Sequence, residues 1–132
     1  MAGETDLEKL LALLQPRLLE GYYVFCSVDD NTMSSYDGLQ PLATYREAEG
    51  LSLLLLQQDA DRAGLPYDSV FRGITLSVHS SLDSVGLTAA VAGKLAAHGI
   101  SANVIAAYYH DHVFVPAQRA DLALKLLTEL EA

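Results

Sequence analysis

The chain has 132 residues, 51% of them hydrophobic, a formal net charge of −9 and one cysteine. That length builds one compact body or two very small ones, and that apolar content excludes a disordered chain. The acidic balance argues against duplex DNA and anionic membrane surfaces as partners, and a lone thiol excludes an internal disulfide and a cysteine-built zinc site.

The first six residues are acidic where a secretory leader is basic, and the apolar run at residues 10–14 is too short for a signal core or a membrane span. A cytoplasmic location is therefore expected. Thr5 reads as a helix N-cap, with Glu8 three residues on in capping-box spacing. Leu7, Leu10, Leu11 and Leu14 follow as one apolar stripe, and Pro16 ends the helix. After Gly21, residues 22–28 are aromatic and β-branched and read as a strand. Cys26 lies inside it. A buried, inert thiol is expected there, because a catalytic cysteine sits at a helix start or loop beside a histidine.

Residues 29–38 are polar and turn-rich and read as a loop. A strand is expected at 42–46, a turn at 47–50 and a buried strand at 51–56, where six apolar or small residues run together. Residues 57–63 predict a short helix closed by Gly64, with Pro66 just beyond as a stop.

The second half predicts a strand (71–78), a loop (79–83), a helix (84–98), a strand (101–109), a tight turn, a strand (112–115) and a helix (116–131). This β-α-β-β-α order is the core of a ferredoxin-like half-sandwich, in which a loop meets a helix N-terminus and a sheet edge is left open. Gly99 and Ile100 fit the last two positions of a Schellman end, with Ile100 packing on Leu95. Leu87, Val91 and Leu95 line the inner face of that helix, and its alanines keep it slim. Pro116 is expected at the first position of the last helix, with Ala120, Ala123, Leu127 and Leu130 as its stripe and Asp121 and Lys125 as an exposed pair. The halves look like degenerate repeats: residues 23–29 parallel 73–79, and residues 44–63 parallel 107–126. The expected division is therefore 1–66 and 67–132, each half an α+β unit with an antiparallel sheet and helices on one face.

The second half resembles an ACT domain, a small ligand-sensing module of amino-acid metabolism. The residues that carry the likeness are 74–78, then Asp83-Ser84-Val85-Gly86-Leu87 at the helix start, Gly99-Ile100-Ser101-Ala102-Asn103-Val104 at the strand entry, and Val113-Phe114-Val115. Val85 departs from the pattern, which favours proline there. The whole chain is similar to stand-alone bacterial tandem-ACT proteins, related in architecture to the ACT regions of aspartate kinases. The resemblance implies two ferredoxin-like units and no catalysis. It also implies an amino acid bound where two such domains meet, no cofactor or resident metal, and a homodimer that engages neither nucleic acid nor membrane.

By that resemblance the ligand lies against Ser80, Ser81, Asp83, Val85, Gly86 and Leu87, and against Asn103, Val104 and Ile105 on the adjoining strand. Free first-turn amides and the helix dipole suit a ligand carboxylate. Gly86 either admits a ligand to the backbone or only allows close helix–sheet packing. Asp83 or Ser84 also serves as an N-cap in the plainer reading. Asn103 offers both a donor and an acceptor.

Two other readings compete. A ligand-free assembly module would join sheets edge to edge. A metal-dependent enzyme would use His110-Asp111-His112, but that string falls where a polar hairpin turn is needed. Tyr45-Arg46-Glu47 occupies the matching turn of the first half. Glycine-rich nucleotide loops, a nucleophile elbow and a His-Glu-x-x-His zinc motif are absent from the sequence.

Overall fold

The computed structural model describes residues 3, 6–29 and 38–131. In chain order the elements are α1 (Leu7–Ala12), β1 (Pro16–Leu18), β2 (Tyr23–Val28), β3 (Ala43–Glu47), β4 (Gly50–Leu56), α2 (Gln57–Ala63), β5 (Phe71–Leu76), α3 (Leu87–Ala96), β6 (Asn103–Ala106), β7 (Asp111–Pro116) and α4 (Ala120–Glu129). They form two units, one of Met1–Glu20 with Arg72–Ala132 and one of Gly21–Phe71. The expected division at residues 66 and 67 keeps sequence order, whereas the chain's first 20 residues join its second half. The reason is burial: Leu10 and Leu14 are core residues of the later unit, alongside Leu87, Val91 and Leu95.

In that unit α1 begins at Asp6, whose carboxylate accepts from Glu8 N at 3.0 Å and Lys9 N at 3.3 Å. Asp6 is therefore the cap; the capping expected of Thr5 lies outside the described residues. The chain then forms β1, a strand too short to show any alternation in sequence. It pairs antiparallel with β5, placing Arg17 opposite Thr75. The strand order is β1-β5-β7-β6. Ile74 and Leu76 on β5, with Val113 and Val115 on β7, form one buried face with α3 and α4. On the other face Gly73 leaves no room for a side chain: a Cβ there would stand 2.8 Å from the Phe114 ring.

Helix α3 ends as expected. Gly99 is left-handed (φ 71°), Ile100 N donates to Leu95 O and Gly99 N donates to Ala96 O, both at 3.0 Å, which is the Schellman pair. Lys94 of α3 reaches Glu129 of α4 at 3.0 Å and holds that carboxyl below its ordinary range. Three expectations need correction. The strand expected at 101–109 stops at Ala106, because Ala107 N donates to His110 O and closes a turn that carries Tyr108 and Tyr109. The strand expected at 112–115 starts one residue earlier, so Asp111, read as part of the turn, is a strand residue of β7 opposite Ala106, next to His112 opposite Ile105. Pro116 closes β7 with an extended ψ of 134°, and a 3-10 turn (Ala117–Arg119) precedes α4, so it is not the first helical residue.

In the other unit the order is β3-β4-β2, with Tyr23 also opposite Phe71. Val24, Cys26, Val28, Leu53, Leu55, Ala60 and Leu65 form its core. Helix α2 covers the expected residues and closes at left-handed Gly64, with Leu65 N on Ala60 O at 2.9 Å. Cys26 is buried, and burial followed by the charge of Asp61 pushes its thiol up, in keeping with an inert group. Most of the loop expected at 29–38 lies outside the described residues. Each unit is α+β, and together they are a tandem of ferredoxin-like units. Among the described residues no helix is long and apolar enough to cross a membrane.

Candidate functional site

The backbone leaves β5 held by the segment between α1 and β1: Ser77 N donates to Gln15 O at 3.3 Å and Val78 N to Leu14 O at 3.4 Å. The next residues turn tightly. Ser81 Oγ accepts from Asp83 N at 3.1 Å, and Ser84 N donates to Ser81 O at 3.0 Å, a serine-built turn followed by a backbone turn. Gly86, with φ 97°, then swings the chain into α3.

Against this loop stands the β6–β7 turn. The His79 ring lies 5.3 Å from Tyr109 and 6.5 Å from Tyr108, and the two tyrosines meet edge to face at 5.0 Å. Beside the aromatic group lies an open cleft of about 290 Å³, lined by Gly3, His79, Ser80, Ser81, Leu82, Asp83 and Tyr108. Gly3 lies directly on the loop backbone. A Cβ there would stand 2.6 Å from the Ser80 carbonyl carbon and 2.7 Å from His79 O, so this position of the wall accepts only glycine.

Ser80 ties the cleft to a buried polar group, because its side chain hydrogen-bonds Asp111. Burial pushes the Asp111 carboxyl above its ordinary range, while His112, the Ser80 hydrogen bond and His110 pull it back. Burial pushes His112 below its ordinary value, His110 pushes it the same way, and Asp111 opposes both. His112 Nδ1 sits 3.0 Å from Thr75 Oγ1, and His110 Nδ1 donates to Val78 O at 3.3 Å. Among the described residues no three histidine, cysteine or acidic side chains converge on a metal position.

Of the residues singled out from sequence, Ser80, Ser81 and Asp83 line the cleft together. The other six do not line it. Val85 is 82% exposed and Leu87 is buried in the core. Gly86 faces Leu7, whose Cδ2 would lie 3.1 Å from a Cβ at that position. Asn103 Nδ2 donates to Phe114 O at 3.3 Å, within the hairpin, and Val104 and Ile105 are half-buried on β6. His79, Leu82, Tyr108 and Gly3 also line the cleft and are not among the residues singled out for the ligand. The adjacent tyrosines before a polar His-Asp-His string were the available signal for a turn that carries rings to the rim.

The ACT domain family matches residues 2–72, and a second family model of the ACT domain matches residues 69–129. Neither matching family is a catalytic one. A protein of unknown function from Vibrio cholerae, described as a possible transport protein, has a solved structure 53% identical to this chain. The match covers 96% of each chain at a TM-score of 0.86. An Agrobacterium tumefaciens protein shares the fold at 18% identity, over 88% of this chain and 87% of its own, with a TM-score of 0.72. So does the ligand-free regulatory subunit of aspartate kinase from Thermus thermophilus, at 10% identity, over 90% of this chain and 97% of that one, with a TM-score of 0.68. No curated protein is significantly similar to the chain.

Proposed function

Because the chain belongs to the ACT domain family, we propose that it is a non-catalytic regulatory module that binds a small metabolite, an amino acid, in the cleft beside the β5–α3 loop. The observation that carries this reading is the cleft itself. It is of small-metabolite size, and Ser80, Ser81 and Asp83 bring hydroxyl and carboxylate groups to it. Its lining residues all belong to the unit of Met1–Glu20 and Arg72–Ala132. The fold shared with an aspartate kinase regulatory subunit supports a regulatory role.

The mechanism is a population shift. A guest that fits one arrangement of the β5–α3 loop better than another stabilises that arrangement by its differential affinity and no more. Thermal-shift measurements with each of the twenty amino acids test the reading. At a hundredfold excess over Kd a specific ligand adds about 2.7 kcal/mol of stability, a rise in Tm of several degrees. No stabilisation by any of the twenty at millimolar concentration would refute it.

A second reading, homodimeric assembly, draws on β3. This strand ends the order β3-β4-β2, and Thr44–Glu47 are exposed along it, with Tyr45 73% exposed. An open edge of this kind pairs with a second copy about a two-fold axis. Light scattering at low concentration is expected to give a dimer mass; a clean monomer removes this reading.

A further inference from the structure

We propose that the cleft recognises its ligand through an ammonium group, with Asp83 as counter-ion and the Tyr108 ring as an aromatic wall. This deepens the function proposed above and rests on it.

The charge inventory of the lining points this way. Among the described lining residues Asp83 is the one acid, and neither lysine nor arginine is present. Asp83 commits its backbone N–H to Ser81 Oγ, which leaves its carboxylate outside the hydrogen bonds of the turn. A ligand carboxylate entering the cleft meets no lysine or arginine among the described lining residues, and it adds its charge to that of Asp83. It is also kept from the α3 amides, because the lining stops at Asp83 and Leu7 stands against Gly86. The arrangement expected from sequence, with a carboxylate on the first turn of α3, is therefore the less favourable one.

An ammonium finds the opposite surroundings. The Asp83 carboxylate offers charge-assisted hydrogen bonds. Tyr108 is 57% exposed and meets Tyr109 edge-on, which leaves its ring presented at the rim. A cation within about 6 Å of a ring centroid is drawn to the ring face. Leu82, also exposed, gives an aliphatic stem something to rest on. A chain of net charge −9 steers cations toward such a cleft.

The test uses the twenty amino acids, their methyl esters and their N-acetyl derivatives, titrated calorimetrically into the full chain. The ester keeps the ammonium and neutralises the carboxylate, and the acetyl derivative does the reverse. For the amino acid that binds, the ester is expected to keep its affinity within a few fold and the acetyl derivative to lose at least tenfold. Asp83→Asn is expected to weaken the parent amino acid roughly tenfold or more with the unliganded Tm unchanged, since this side chain is exposed on a loop. Tyr108→Leu is expected to weaken it several fold. Tight binding of the acetyl derivative with loss of the ester overturns the proposal. So does unchanged affinity in Asp83→Asn, and in that case the amino-acid sensor stands while its ammonium anchor falls. If no amino acid binds, both fall together.

Discussion

Asp111 and His112 are neighbours on β7, and burial acts on them with opposite sign. The folded His112 titrates below its ordinary 6.5, so the folded chain binds fewer protons there than the unfolded chain. Its stabilising contribution is full above 6.5 and is lost as pH falls from there through the lowered value. Asp111 titrates above its ordinary 3.8, so its contribution is full below that value and is lost as pH rises through the raised one. Acidification just below neutrality therefore draws on His112. His112→Asn keeps a polar group toward Thr75 without the titration, and its Tm is expected to fall less steeply than the parent's from pH 7 downward. Parallel Tm curves for the two proteins would contradict this. The roles of these residues were not readable from the chain. A His-Asp-His string is polar enough to read as a turn, yet Asp111 pairs with Ala106 and opens the strand, a partner that no local pattern names.

At the scale of elements, the informative part is the N-terminal segment. Leu10 sits at 0% exposure in the core built by β5, α3, β7 and α4. Leu10→Ala is expected to cost about 2–5 kcal/mol in denaturant unfolding. Leu13→Ala, just past the same helix and 57% exposed, is expected to stay within about 0.5 kcal/mol. Equal costs at the two positions would mean that α1 is not part of that core. Local signals made several elements readable. The stripe of Leu7, Leu10, Leu11 and Leu14 marks α1. Glycine followed by an apolar residue marks the ends of α2 and α3. What the stripe could not say is which half of the chain it packs against, since an apolar face does not name its partner. The start of α3 was placed three residues early for another reason. Ser84 and Val85 are compatible with a helix, and it is the left-handed turn at Gly86 that delays it. Strand β1 has three residues, one of them proline and one arginine, and carries no pattern to read.

At the scale of the whole molecule, the acidic charge that argues against nucleic acid and anionic lipid leaves small cations as natural guests. The cleft gathers residue 3, residues 79–83 and residue 108, three stretches far apart in sequence. The middle stretch was found because a strand–loop–helix junction is visible in a pattern of residues. The other two required the fold: Gly3 because its role is to lack a side chain, and Tyr108 because the hairpin turn lies earlier than polarity suggests. The most direct measurement is chemical-shift mapping of the isotope-labelled chain titrated with the amino acid that stabilises it. The largest changes are expected at Ser80, Ser81, Asp83 and Tyr108, saturating together. Changes confined to residues outside this cleft, or none with any of the twenty, would contradict a sensor built on the β5–α3 loop.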